Sequence, residues 1–133
     1  MKIICIGKNY LEHAKEMGDI APEKPIFFLK PDSAILPKRN PFYIPNFTNE
    51  VHHEVELIIK IKKLGKCINL NFAKEYYSEI GLGIDFTARD IQKKCKEKGH
   101  PWEIAKAFDQ SAVISDSFID INSLSDINFH LDK

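Results

Sequence analysis

"VHHEVELIIKI" (Val51–Ile61) sets two carboxylates, Glu54 and Glu56, inside an apolar, β-branched run, and its reading decides the fold. Valine and isoleucine at this density, in alternation, predict a long strand reaching to about Lys63. Side chains alternate between the faces of a strand. Val51, His53, Val55, Leu57, Ile59 and Ile61 therefore share one face, the expected core stripe. His52, Glu54, Glu56, Ile58, Lys60 and Lys62 share the other. Residues i and i+2 lie about 6.5–7 Å apart along a strand, so both acids can lean onto one ion. Oxygen ligands alone suit a hard cation, Mg²⁺, Mn²⁺ or Ca²⁺, rather than zinc. By itself the pair fits a solvent-facing strand surface better than a metal site. Asp85 changes the balance: it ends the Gly-flanked strand "GLGIDF" (Gly81–Phe86), and three acids on two strands make a candidate metal site.

Working outward, "KIICIG" (Lys2–Gly7) reads as a short strand stopped by glycine. "NYLEHAKEMG" (Asn9–Gly18) reads as a helix capped by Asn9 and ended by Gly18. Six of the seven prolines fall between Ala21 and Pro45, so that segment is extended and turn-rich around one strand, Ile26–Lys30. "NFAKEYYSEI" (Asn71–Ile80) is expected to be a helix capped by Asn71. A further helix is expected to start at Thr87, with Asp90 in a capping-box position, and to end at Gly99. The remainder, Ser111–Lys133, alternates and turns like β-structure. Strands dominate, so the predicted class is α+β with a mainly β core.

The bulk composition narrows the function classes. Nineteen basic residues balance nineteen acidic ones, which argues against nucleic-acid binding driven by counterion release. The densest basic run, Lys93–His100, reads as the solvated face of a helix. The apolar start "IICI" is too short for a signal or membrane segment, and the expected location is cytoplasmic. Cys5, Cys67 and Cys95 are odd in number and widely spaced, which predicts neither disulfide nor thiolate metal site; buried, inert cysteine is the expected state. The length, 133 residues, fits one domain.

The histidines divide into two kinds. His52 can line a pocket on the acids' face, and an exposed strand histidine explains it equally well. His13 and Glu16, spaced i, i+3 on a helix, share a face and can touch. A carboxylate holding an imidazole makes a general base for water, and a surface ion pair fits the spacing as well.

Taken together, "CIGKNYLEHAKEMG", "PIFFLKPDSAIL", "HHEVELIIKI", "GLGIDFTARDIQKKCKEKGHPWEIAKAFD" and "SAVIS" resemble, in order, the fumarylacetoacetate hydrolase family, nearest its acylpyruvase and oxaloacetate decarboxylase members. The resemblance implies the mixed β-sandwich or roll of that family's C-terminal domain. It implies Mg²⁺ or Mn²⁺ held by Glu54, Glu56 and Asp85, with residues 51–110 as metal and substrate core. His13 and Glu16 correspond to a lid dyad on helix 9–18 that activates water. Arg89, Gln92 and Lys106 correspond to groups that contact the substrate's carboxylate and carbonyl oxygens, with Lys30 placed near the same pocket.

The activity so implied is cleavage of a C–C bond in a small 2-oxo acid or β-diketone, by acylpyruvate hydrolysis or oxaloacetate decarboxylation through an enolate. Lys106 would stand near the developing enolate. Isomerases of unsaturated 2-oxo diacids belong to the same family. Lys8 replaces the usual arginine before "NY", losing a bidentate fork. Family members also continue through further strands, so this chain is expected to be truncated, about two-thirds of an enzyme and incomplete at the C-terminus. A non-catalytic remnant that binds metal or associates is the rival class. Homodimers are common in the family, and one is expected here.

Overall fold

The structure, a computed structural model, describes residues 1–10, 22–125 and 127–128. Most of the expected helix Asn9–Gly18, with His13 and Glu16, lies outside the described residues.

Among the described residues, two antiparallel sheets make up the fold. Strands β1 (Ile3–Gly7) and β2 (Ile26–Lys30) form a two-stranded ribbon in the register Ile4↔Leu29, Cys5↔Phe28, Ile6↔Phe27. Strand β3 (Val51–Ile61) pairs along its length with β4 (Tyr77–Ala88). On the other edge of β4 lie β5 (Ala112–Ile114) and β6 (Ile119–Asp120). Helix α1 (Arg89–Lys98) follows β4, and the short α2 (Glu103–Lys106) follows α1. The architecture is mainly β with few helices, as expected. Among the described residues, no helix is long and apolar enough to cross a membrane.

The core lies where β4 runs into α1. Ala88, Ala105 and Ala34 are fully buried there, with Cys95, Ala112 and Phe28 nearly so. Small residues allow β4, α1 and α2 to approach closely, and the space is then filled by polar side chains: Lys30, Asp85, Thr87, Gln92, Lys106 and Ser111 are all buried. Among the described residues, no buried side-chain polar atom lacks a partner, so the usual penalty for burying such groups is met by hydrogen bonds. Trp102 ties the ribbon to this core, lying 6.1 Å from the Phe28 ring. A Cβ added at Gly7 would stand 3.0 Å from the Trp102 ring. The outward side of the ribbon is apolar: Ile4, Ile6, Phe27 and Leu29 are 45–68% exposed.

Four expectations need correction. On β3 the apolar stripe is not a buried core face: His53, Ile59 and Ile61 are exposed and Val51, Val55 and Leu57 only partly buried, as are His52, Glu54, Glu56 and Ile58 on the other face. Hydrophobicity did not foresee that the acids' face would be as covered as the apolar one, because the acids pack against cations. The expected helix Asn71–Ile80 is instead a 3₁₀ segment, Leu70–Tyr76, that gives way to β4 at Tyr77. Asn69, not Asn71, is its cap, accepting from the Asn71 N–H at 3.0 Å, and "YYSEI" fits a strand better than a helix. Thr87 belongs to β4 and does not cap α1; Ala88 holds that position without a side-chain bond. Asp90 accepts from Thr48 and from the Asn49 N–H at 3.3 Å. Finally, beyond Ser111 the described chain is strand only in β5 and β6, with a 3₁₀ turn at Ile121–Ser123. Gly99 does end α1, at φ 65°, as expected.

Candidate active site

The β3–β4 register sets Glu54 directly opposite Asp85 and Glu56 opposite Gly83. Alternation then places Thr87 on the same face as Asp85. Into this face α2 projects Lys106, whose side chain is 3% exposed. Its ammonium donates to Glu54 Oε2 at 2.6 Å, Asp85 Oδ2 at 2.9 Å and Thr87 Oγ1 at 2.5 Å. Three donors meet three acceptors, which saturates the group.

Lys30, at the end of β2, reaches the same carboxylate from the other side, 3.0 Å from Asp85 Oδ1. Its ammonium also donates to the Ser111 carbonyl at 3.0 Å, to Ser111 Oγ at 2.9 Å and to the Lys106 carbonyl. At the mouth, the Arg89 guanidinium pairs with Glu54 Oε1 through Nη2. It donates to Gln92 Oε1 at 2.5 Å and to His52 Nδ1 at 3.3 Å. His52 in turn lies 2.9 Å from Glu50 through Nε2. That pairing requires the neutral Nε2–H tautomer, with Nδ1 as acceptor.

These contacts divide the acids electrostatically. Burial alone would raise the Glu54 carboxyl, yet Lys106 and then Arg89 hold it below the usual range. Glu56 has no ion pair among the described residues. Burial pushes it up to about 7, aided by the negative charge of Glu54, while a hydrogen bond from Tyr10 pulls the other way. Burial lowers Lys30, partly opposed by Asp85. The Cys5 thiol stands in the same field: burial, then Asp85, raise it to about 11.

Six of the residues singled out in the sequence therefore form one network: Glu54, Asp85, Lys106, Lys30, Arg89 and Gln92. Glu56 borders it. His13 and Glu16 lie outside the described residues. The expected convergence of three acids on one point is not the observed arrangement, since among the described residues no three such side chains close into a metal cage. Lys106 bridges two of them, and Glu56 pairs with Tyr10. The donor chemistry still fits a hard divalent cation: three carboxylates on neighbouring strand positions, one of them, Glu56, partly buried and without an ion pair among the described residues. Lys30 is also more deeply engaged than a pocket-lining role predicts.

Sequence reasoning missed Thr87, Tyr10 and Ser111. Thr87 was legible, two residues from Asp85 on a strand. Ser111 carried no signal, since its partner Lys30 is 81 residues away.

Comparison with known proteins places this site in context. The chain is 41% identical over 113 residues to the mitochondrial oxaloacetate tautomerase FAHD1 of Bos taurus, covering 85% of this chain and 51% of that protein. It is 43% identical over 128 residues to the mitochondrial oxaloacetate decarboxylase of Dictyostelium discoideum, covering 96% and 58% respectively. The crystal structure of fumarylpyruvate hydrolase from Pseudomonas aeruginosa, in complex with Mn²⁺ and pyruvate, matches with a TM-score of 0.78 at 41% identity, covering 86% of this chain and 51% of that one. This chain thus spans about half the length of these relatives, less than the two-thirds that the resemblance implied. Residues 2–132 match the fumarylacetoacetate hydrolase C-terminal domain, and the chain belongs to the fumarylacetoacetate hydrolase family.

Proposed function

We propose that this chain carries the centre of a divalent-metal-dependent enzyme acting on a small 2-oxo acid through its enolate, with oxaloacetate as the first substrate to test. The observation that carries the reading is the buried Lys106 ammonium fixed between Glu54 and Asp85. With Glu56 ionised, the three acids balance Lys30, Lys106 and Arg89. A divalent ion held by Glu54, Glu56 and Asp85 would make the centre net positive, which suits a dianionic substrate. When bound, such an ion supplies Lewis-acid polarisation of the substrate's carboxylate and keto oxygens.

The chain's own residues do the rest. Arg89 and Gln92, already joined, bind the substrate carboxylate, with Arg89 exchanging its Glu54 contact for the substrate. Lys106, its three protons taken by Glu54, Asp85 and Thr87, contributes positive charge at Nζ toward the oxygen on which charge develops, in a buried setting where that interaction is strong. In decarboxylation the bond from the methylene carbon to the distal carboxylate breaks. Its electron pair enters the enolate, CO₂ leaves, and a proton returned to the methylene carbon gives pyruvate. Tautomerisation breaks no C–C bond: loss of a methylene proton forms the enolate of oxaloacetate itself, and a proton returned to its oxygen gives the enol. Hydrolysis of an acylpyruvate needs water as well, and His13 with Glu16 remains the proposed base for that route.

The relatives' names support both the decarboxylase and the tautomerase versions. The test is Mg²⁺- or Mn²⁺-dependent consumption of oxaloacetate, followed as loss of the enol absorbance and as pyruvate formed. Turnover abolished by Glu54→Gln supports the reading. A folded, metal-binding chain without turnover would support a non-catalytic association module. A homodimer is part of the same proposal, and sedimentation velocity tests it.

A further inference from the structure

The proposed chemistry leaves Ser111 unused, although it is fully buried and every polar atom it has is engaged. Its N–H donates to the Phe108 carbonyl at 3.2 Å, and its carbonyl accepts from the Phe86 N–H at 2.9 Å. That carbonyl also accepts from the Lys30 ammonium at 3.0 Å. Its hydroxyl accepts from Lys30 at 2.9 Å and donates to the Lys106 carbonyl at 2.9 Å. Gln110, just before it, has φ 63°, the left-handed turn that brings residue 111 back beneath Lys106.

The Lys106 carbonyl is the last of the four-residue helix α2. Carbonyls at a helix end have no partner within the helix, and a helix this short has few bonds of its own with which to resist rotation of that peptide. Here the carbonyl is held from outside by two groups, Ser111 Oγ and Lys30 Nζ. The opposite end of the same residue, Nζ, must reach three acceptors at 2.5–2.9 Å. Rotation of the Lys106 peptide would swing the whole side chain away from that narrow fit.

We infer that Ser111 is a positioning residue for Lys106, with the Lys30 ammonium as its relay to Asp85, and that Lys30 serves this clamp rather than the substrate. The inference rests on the reading of Lys106 as the cation beside the enolate. Ser111 never touches substrate; it acts by fixing the backbone from which Lys106 projects.

The experiment is ¹⁵N NMR of the lysine ammonium protons in the full chain, paired with oxaloacetate kinetics. In the unsubstituted protein the buried, bonded ammonium of Lys106 is expected to exchange slowly with water. Ser111→Ala is expected to speed that exchange and lower kcat, each roughly tenfold, with KM changed by less than about twofold, because a misplaced group costs rate more than binding. Ser111→Cys, of similar size with a weaker donor, should fall between. A Ser111→Ala protein with lowered melting temperature but unchanged Lys106 exchange and kcat would overturn the inference, leaving Ser111 merely structural. If the unsubstituted protein turns over no oxaloacetate, the functional reading fails, and the exchange rates still decide whether Ser111 positions Lys106. If Ser111→Ala does not fold, Ser111→Cys decides by the same readings.

Discussion

Glu54 and Asp85 face each other across the β3–β4 register, and the Lys106 ammonium joins them, 2.6 Å from one and 2.9 Å from the other. Two facing, largely buried carboxylates would repel; with Lys106 between them they form one ion-paired cluster. Removing the cation leaves both acids without that partner. Lys106→Met, which keeps the stem's apolar volume, is expected to cost about 3–5 kcal/mol of stability, the usual penalty for breaking a buried pair from one side. Urea denaturation at neutral pH, without added metal, measures it, and an unchanged midpoint would refute the bridging role.

Glu56 makes the stability depend on pH. Its carboxyl is raised in the folded chain, from an ordinary 4.5 to about 7. A raised acid favours folding most when protonated, so its contribution is full below about pH 4.5 and is lost as pH climbs through 7. Comparing melting curves of the parent and Glu56→Gln in chelator across this window should show a decline in the parent that the variant lacks. Parallel curves would exclude Glu56 as the source.

Thiol chemistry separates the three cysteines. Cys67 is exposed, Cys95 is buried, and the Cys5 thiol is raised to about 11. Since only the thiolate reacts, iodoacetamide at pH 8 is expected to modify Cys67 first and Cys5 slowly. Peptide mass mapping over time reads the order. Fast alkylation of Cys5 would mean that its thiol is not held in the field of Asp85.

Two glycines test different constraints. A Cβ at Gly83 would lie 2.5 Å from both Ile58 Cδ1 and the Val113 carbonyl oxygen. Ile58 can shift, but the backbone of β5 cannot do so without loosening the ladder that holds Asp85. Gly83→Ala is therefore expected to destabilise by about 1–3 kcal/mol, as overpacking does. Gly99 has open space around it but sits at φ 65°, so Gly99→Ala should cost only about 1–2 kcal/mol, from strain in the left-handed region. Chemical denaturation of the two variants should also show altered metal affinity for Gly83→Ala alone.

Much of this was legible before the structure. Alternation in Val51–Ile61 put Glu54 and Glu56 on one face, and "GLGIDF" supplied Asp85 on a partner strand; the antiparallel register then brought Glu54 and Asp85 together. What alternation cannot say is how far each face is covered. Ile59 and Ile61 argued for a buried stripe, yet both are exposed, and the lysines that cover the acids, Lys30 and Lys106, come from distant segments with no local signature. The helix expected at Asn71–Ile80 failed for a related reason: Tyr77–Ile80 is recruited by Ile59, Lys60 and Ile61 across the sheet, a pairing that overrides local preference. Ser111 could be found only in three dimensions, since a buried serine at the start of an apolar run looks like an ordinary turn residue.

The β1–β2 ribbon is moored to the body by few inward side chains, chiefly Phe28 and the Lys30 ammonium, while Ile4, Ile6, Phe27 and Leu29 look outward. Detaching it would uncover Phe28, which is buried, and the Trp102 ring beside it. The step would also deprive Asp85 of Lys30, one of the two cations paired with it among the described residues. The hold of the ribbon on the body is thus electrostatic as well as hydrophobic, and opening of such a unit would depend on both. Amide exchange along Ile3–Gly7 would then report the ionic state of the site, so the periphery of this fold and its chemical centre share one electrostatic latch.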